Sequence, residues 1–473
     1  MSSRNRTEFC GCYRWFDKNW GQSIGPPFVN TSLTSGDWMG LDNAAWGSHL
    51  YFSVSAQYNS NSGSVPRERP IALTKHGARE PWRQCGWASN PCDPSGEYPP
   101  IPGPLAESPA QRRYPVWWTG DSVQLDAAVQ AMVDSGVHGL KPYVHSDCAG
   151  DGVYHGDVAH LRWTAHCVLG TILRFHGADH RPWHDGPGDN ITVTATEDTI
   201  RQYLQMRYRL VPSLVAAGHQ VTQHAFPLAA RLDLFWPEHA PLSSSNMSYL
   251  FLNDTLVAPI VNMVANVSTR TVWIPPGEWE DGWNGTVVTG PRLATVSQPY
   301  FRIPMWHRRG SFTVTTSDPN TRVARQDWAE LTVEIYPGPA LSVGGQPNIR
   351  KQVHERDSTA VTVLEMLTDG PKLTVWITAG PGQLARGWCL RVHLRPGQRV
   401  TAAEVDGRAA ATGNWPTRPA SSVLTHINAS SRGAAAQFPF AGAGTPPPRG
   451  SGPVAELTIE RVATARVVTM LIG

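Results

Sequence analysis

Two aspartates end aromatic, strand-like runs, and by type and spacing they are the residues most able to do chemistry. Asp121 follows Tyr114-Pro115-Val116-Trp117-Trp118-Thr119-Gly120 and leads into Ser122 and a helix-like pattern, while Asp17 follows Tyr13-Arg14-Trp15-Phe16 and precedes Lys18-Asn19-Trp20. A strand that hands an acid to a helix is how a barrel of alternating strands and helices delivers side chains to its catalytic face. Breaking a glycosidic bond with carboxyl groups takes two of them, one on each side of the sugar. A lone Asp after an apolar run is more often a helix cap or turn residue. Two at successive strand ends point to a site.

The surrounding pattern supplies the elements that would position these acids. Between Glu8 and about Gly218, short apolar runs alternate with helical periodicity, the signature of repeated strand and helix units. Cys12 to Phe16 reads as a strand with Asp42 to Val54 as the following helical segment, and Pro70 to Leu73 as the next strand, before a Pro-rich loop to about Arg113. Leu125, Ala128, Val129, Met132 and Val133 recur at helical spacing, so Ser122 to Gly136 reads as a helix that Gly136 ends. Leu140 to Val144 reads as a strand carrying His145, Ser146 and Asp147 at its end. A helix from about Asp157 to Leu169, a strand from Thr171 to Phe175 tipped by His176, and a closing helix from Thr199 to Ala217 follow. These amount to five strand-like units, where a closed eight-fold barrel needs three more. From Leu228 the helical signal fades into short β-rich segments, Thr255 to Val261, Thr271 to Ile274 and Tyr300 to Met305, reaching about Val314. A further β-rich stretch runs from Leu331 to Leu471, with the Ala-, Gly- and Pro-rich segment Ala434 to Gly452 read as a loop.

Composition narrows the function classes. At 473 residues the chain is long enough for two or three domains. Its net charge of +2 leaves no electrostatic footprint for nucleic acid. No apolar run approaches the ~18 to 20 residues of a membrane-spanning helix. The 19 Trp residues either stack on sugar faces and line pockets or simply fill a core. Eight Asn residues lie in Asn-x-Ser/Thr: Asn5, Asn30, Asn190, Asn246, Asn253, Asn266, Asn284 and Asn428. Chance would give about two or three, so passage through a secretory compartment is expected, although Met1 to Thr7 lacks the apolar segment of a leader.

Other constellations are weaker. Seven cysteines leave at least one unpaired within the chain; Cys85 and Cys92 flank a short loop that a disulfide would close. Cys10-x-Cys12 has the wrong spacing for a zinc ribbon, and His176, His180 and His184 recur like helix-borne ligands but are interrupted by Pro182, so no metal or other cofactor is expected. No Ser sits in a Gly-x-Ser-x-Gly elbow beside His145 and Asp147, which argues against a serine hydrolase.

With these residues in view, the chain resembles glycoside hydrolase family 31, the retaining α-glucosidase and α-xylosidase family, over roughly Tyr13 to Phe312. Trp15-Phe16-Asp17-Lys18-Asn19-Trp20 is similar to its nucleophile strand and Trp118-Thr119-Gly120-Asp121 to its acid/base motif. His145-Ser146-Asp147-Cys148-Ala149-Gly150, Leu173-Arg174-Phe175-His176-Gly177, Arg207 to Pro212, Asn253 to Pro259 and Arg302 to Met305 follow in the family's order. The resemblance implies an α/β fold: the C-terminal part of a (β/α)8 TIM barrel in residues 1–227, then β-sandwich domains in 228–320 and 321–473. It also implies Asp17 as nucleophile and Asp121 as general acid/base, with Trp15, Trp118, Asp147, His176 and Lys75 lining the subsite of the cleaved sugar.

Four departures stand out. The family's N-terminal β-sandwich and first barrel strands have no counterpart, so the chain is expected to be part of a longer protein. Lys75 stands where the family has an Arg, exchanging a bidentate fork for a point charge. Ser146 replaces an expected His, and the loop from His76 to Arg113 is long. The implied activity is release of a terminal α-linked glucoside or xyloside by double displacement. The alternative is a glycosidase-like protein that binds glycans or a partner without catalysis.

Overall fold

A computed structural model describes residues 73–74, 116–119, 124–138, 142–148, 156–175, 181–183, 194–245, 247–263, 268–316, 323–339, 349–355, 359–383, 385–410, 418–419, 453–462 and 466–472. Contacts divide the chain into two units, residues 1–120 with 134–146 and residues 121–133 with 147–473. The strand and helix expected over Cys12 to Phe16 and Asp42 to Val54 lie outside the described residues, as do Cys85 and Cys92.

The first unit holds a three-stranded parallel sheet. Its strands are β1 (Leu73–Thr74), β2 (Val116–Trp118) and β3 (Tyr143–His145), in the order β1-β2-β3. Leu73 pairs with Val116 and Val116 with Tyr143, so all three strands run to the same edge in register. Thr119 extends the ladder, its N–H donating to the His145 carbonyl at 3.0 Å. Helix α1 (Leu125–His138) follows β2, and Leu125, Ala128, Val129, Met132 and Val133 are all buried, as their spacing requires. Gly136, however, does not end it. The helix runs two residues further, since a buried Gly in the last turn costs only about 1 kcal/mol against Ala.

In the second unit, α2 (Asp157–Val168) is buried on every side from Ala159 onward. The single helix expected from Thr199 to Ala217 is instead two, α3 (Thr194–Arg209) and α4 (Val211–His224). Pro212 is the cause: it brings no N–H, and its ring would strike the carbonyl four residues back. That carbonyl, on Tyr208, is turned out and accepts from Gln326 Nε2 at 2.9 Å. The segment Thr171 to Phe175 is likewise not a strand but a turn ending in a single parallel bridge, Cys148 to Phe175.

Residues beyond Leu228 are β-rich. Strands β4 (Ala229–Arg231), β5 (Tyr249–Phe251), β6 (Thr255–Val257), β7 (Thr269–Asp281), β8 (Val287–Ser297) and β9 (Met305–Arg308) form one antiparallel sheet, ordered β4-β5-β6-β9-β7-β8. Where a sandwich was expected, the described residues form this single sheet, and the 3-10 turns from Leu232 to His239 contribute Leu232 and Trp236 to its core with Trp273, Trp279 and Trp306. These tryptophans are core, not sugar platforms. The run Tyr300 to Met305 joins the sheet only at Met305, because Pro304 has no N–H to give a ladder.

Gly290 sits opposite the bulge that Pro275 and Pro276 force into β7, and a Cβ there would lie 2.0 Å from the Pro275 carbonyl oxygen. Gly290→Ala is therefore expected to cost about 3 kcal/mol by displacing backbone, read as a drop in the urea midpoint. A midpoint equal to that of the parent would show that the hairpin yields freely.

The remaining strands are β10 (Ser311–Thr316), β11 (Glu330–Tyr336), β12 (Ile349–His354), β13 (Val361–Asp369), β14 (Lys372–Ala379), β15 (Arg386–His393), β16 (Val400–Val405), β17 (Arg408–Ala409), β18 (Arg418–Pro419), β19 (Pro453–Val462) and β20 (Arg466–Ile472). They build two sheets, β10-β11-β15-β19-β18 and β12-β13-β14-β20-β16-β17, that share one core through Phe312, Val333, Leu364, Val375, Leu390 and Val468. The change of sheet falls at Gly310, ten residues before the boundary expected at 320: β9 pairs with β6 and β7, β10 with β11. Helix α4 closes one side, with Val211 in the same core and Ser213 Oγ donating to the Val314 carbonyl at 2.7 Å.

Candidate functional site

Of the seven residues expected at the site, Asp17, Asp121, Trp15, Lys75 and His176 lie outside the described residues. Trp118 and Asp147 lie within them. Trp118 is the last residue of β2 and pairs with His145, so the strand leading to Asp121 and the strand leading to Asp147 end side by side.

Asp147 is fully buried, with φ of 27° at the margin of the left-handed region. Aspartate enters that region more readily than most residues, and a conformation of this kind persists where its surroundings fix it. Here the fixing is visible. Arg174 Nη2 donates to Asp147 Oδ1 at 2.7 Å, the next residue's N–H, on Cys148, donates to the Arg174 carbonyl at 2.9 Å, and Cys148 bridges to Phe175. The Phe175 ring in turn stacks with His160 of α2, centroids 6.2 Å apart. A carboxylate held by a charged donor and a fixed backbone in this way keeps one position.

A disulfide reinforces the arrangement. Cys148 is bonded to Cys167 near the end of α2, tying the Asp147 turn to that helix. The pairing joins residues 19 apart across a strand end and a helix, so nothing local in the sequence announces it. Arg174 was visible only inside a motif, since an Arg after an apolar run reads as a solvated side chain. A loop of this size makes the bond worth about 3 kcal/mol. Cys167→Ala is expected to destabilise the protein by that amount without reductant, read as a lower urea midpoint, and to respond less to added dithiothreitol than the parent. A variant that stays as stable as the parent would mean that the turn is held by the Arg174 contacts alone.

The end of α2 is clamped from the other side. Arg207 of α3 donates to the carbonyls of Val168, Gly170 and Thr171 at 3.0, 2.5 and 2.9 Å, and the Tyr249 hydroxyl donates to the Leu169 carbonyl at 3.1 Å. The Val168 and Leu169 carbonyls are ones the helix C-terminus leaves unpaired, and those of Gly170 and Thr171 follow directly, a place that favours a cation. Burial pushes the Arg207 guanidinium down to about 10, still well above neutral pH. The Tyr203 hydroxyl donates to the Phe301 carbonyl at 2.9 Å and accepts from the Ile303 N–H at 3.3 Å. Thus α2 and α3, which set the Asp147 turn, are anchored to the β-sheet domain.

Residues 106–217 match the Glycosyl hydrolases family 31 TIM-barrel domain, and residues 226–312 match the Glycosyl hydrolase family 31 C-terminal domain. Residues 106–217 and 226–312 are thus similar to the two domains of glycoside hydrolase family 31. Curated relatives include an isomaltosyltransferase of Sporosarcina globispora, 21% identical over 243 residues, covering 47% of this chain and 22% of that protein. Alpha-glucosidase 2 of Bacillus thermoamyloliquefaciens is 24% identical over 237 residues, 48% of this chain and 28% of its own length. Alpha-xylosidase 1 of Arabidopsis thaliana is 23% identical over 171 residues, 35% of this chain and 18% of that protein. The matched stretches span less than a third of each of those relatives. Among solved structures, a Flavobacterium johnsoniae family 31 dextranase complexed with glucose superposes with a TM-score of 0.62 at 17% identity, over 92% of this chain and 49% of that one. The fold is therefore shared with that enzyme, a TIM-barrel domain followed in sequence by a C-terminal domain. Among the described residues three parallel barrel strands and the Phe175 bridge are seen.

Proposed function

We propose that this chain carries the reacting half of a retaining α-glycosidase that releases terminal α-linked glucosides or xylosides. In this reading Asp17 attacks the anomeric carbon while Asp121 protonates the leaving oxygen; Asp121 then deprotonates the water that releases the sugar. Trp118, Asp147, His176, Trp15 and Lys75 line the sugar subsite. The observation that carries the reading is the parallel pairing of β2 with β3, which ends the strands before Asp121 and Asp147 on one edge and leaves Asp147 pre-set by Arg174. The curated relatives, named as glucosidases, xylosidases and glycosyltransferases, support an α-glycosyl substrate. Release of 4-nitrophenol from a panel of aryl α-glycosides tests it, comparing this chain with one extended upstream. Turnover in either form supports the enzyme. Silence in both, from folded protein, moves the reading to a binder without catalysis.

We also propose, from the excess of Asn-x-Ser/Thr sites, that the protein passes through the secretory pathway. Asn284 is exposed on the turn between β7 and β8, and its Oδ1 accepts from the Thr286 N–H at 2.8 Å, so the sequon is presented at the surface. Secreted from a eukaryotic host, the protein is expected to lose apparent mass on endoglycosidase treatment, and Asn284→Gln to shrink that loss by one glycan. An unchanged loss would take Asn284 off the list of acceptors.

A further inference from the structure

A cavity of about 270 Å³ opens between α4, the β5–β6 turn and β12, remote in sequence from the acids discussed above. Its size matches a monosaccharide-scale ligand, at the small end of ligand pockets. One wall is aromatic, from Phe226 and Phe235, which pack edge to face at 5.3 Å. The other walls carry Arg308, Arg350 and Lys351 against a single carboxylate, Asp254, so the lining holds three cations and one anion.

The cations are not equivalent. Lys351 is ion-paired to the buried Asp254, and Arg350, largely exposed, reaches Glu365 at 3.5 Å. Arg308 is held differently: its guanidinium lies 5.7 Å from the centroid of the Trp236 ring, and its backbone N–H donates to the Asp254 carbonyl at 2.8 Å. A cation–π contact engages the face of the guanidinium and leaves its in-plane N–H donors for another partner. The lip of the cavity adds a second, independent sign. Leu252 and Asn253 form the β5–β6 turn with φ of 53° and 70°, a double left-handed conformation that Gly or Asn favours and Leu resists. Strain of this kind clusters where a ligand is held.

We propose that this cavity binds a small molecule carrying one carboxylate or phosphate group, with Arg308 as its bidentate anchor and Phe226 and Phe235 against its apolar face. The inference stands apart from the catalytic reading. Isothermal titration of the whole chain with glucose 6-phosphate, glucuronate and glucose at constant ionic strength tests it. An anionic probe is expected to bind at least about tenfold more tightly than glucose. Arg308→Gln should erase that preference, and Gln220→Trp, which fills the cavity from α4, should abolish binding, both at an unchanged melting midpoint. Preference for phosphate alone or for both head groups identifies the group recognised and supports the site either way. Glucose binding as tightly as its phosphate, binding indifferent to both substitutions, or no binding of any probe overturns it. Should Arg308→Gln fail to fold, Gln220→Trp decides.

Discussion

Asp17→Ala is expected to remove turnover of aryl α-glycosides by on the order of 10⁴- to 10⁶-fold, the scale for losing an enzymic nucleophile. Azide distinguishes this loss from a merely structural one. Without the Asp17 carboxylate, azide attacks the α-glycoside directly, the aryl oxide leaves, and the product is the β-glycosyl azide. Asp121→Ala makes the complementary prediction. Its loss is expected to be on the order of 10²- to 10⁴-fold. The loss should be smallest for leaving groups that need no proton, and azide should then intercept a β-glycosyl-enzyme to give the α-glycosyl azide. The two opposite anomers from two single substitutions assign the roles by product chemistry. Identical products from both, or no rescue in either, would refute the assignment of nucleophile and acid.

Arg309→Met is expected to destabilise the protein by about 3 to 5 kcal/mol at pH 7. Arg309 and Glu280 are an ion pair in which both side chains are nearly inaccessible, 2% and 8% exposed. The pair sits in a larger buried network: Glu334 accepts from Arg391 at 2.7 Å and bonds His393 Nε2 at 2.8 Å, and Arg391 also reaches Glu456 at 2.7 Å. Removing the guanidinium leaves the Glu280 carboxylate buried beside His393 at 3.7 Å with its main counter-charge gone. Burial already raises the Glu280 pKa, against the pull of His393 and Arg309. Without Arg309 it rises further. A carboxyl group that binds its proton more tightly folded than unfolded loses stability as pH rises through that window. The variant's deficit should therefore shrink as pH falls from 7 toward about 4.3, the ordinary value for Glu. Urea unfolding at pH 7 and pH 5 reads this directly, and a deficit independent of pH would trace the loss to packing rather than to the stranded charge.

Where the sequence spoke clearly, the signal was local. The five apolar residues of α1 recur at helical spacing, in steps of 3 and 1, and are all buried, and α2 begins at Asp157 and stops within a residue of its expected end. Asp147 follows an apolar strand and is placed at its end, as its position required. What was missed depends on partners distant in the chain. Pro212 was plain to read, but helical periodicity runs through it, and only the Gln326 amide that takes up the freed Tyr208 carbonyl shows how the break is tolerated. Cys148 finds Cys167 because a turn and a helix meet, and Arg174 acquires a role only once it faces Asp147. A Trp count cannot say which rings face a core: Trp273, Trp279 and Trp306 carry the same composition signal as a sugar platform and are inside.

The two residues between β9 and β10 have a practical meaning for anyone who wants to shorten this protein. Arg309 donates its N–H to the Glu278 carbonyl on one sheet, and Gly310 donates to the Tyr336 carbonyl on the other at 2.6 Å. The family match ends at residue 312, inside β10, two residues after the chain has already committed to the pair of sheets that follows. A chain stopped there would strip β10 of its β11 partner, bare the side of α4 that carries Val211 and Val215, and leave Glu280 without His393 beside it. An end chosen by sequence similarity would thus cut through a load shared by both β regions, and the shortest stable version of the second unit should run on to Ile472, where β20 completes its sheet.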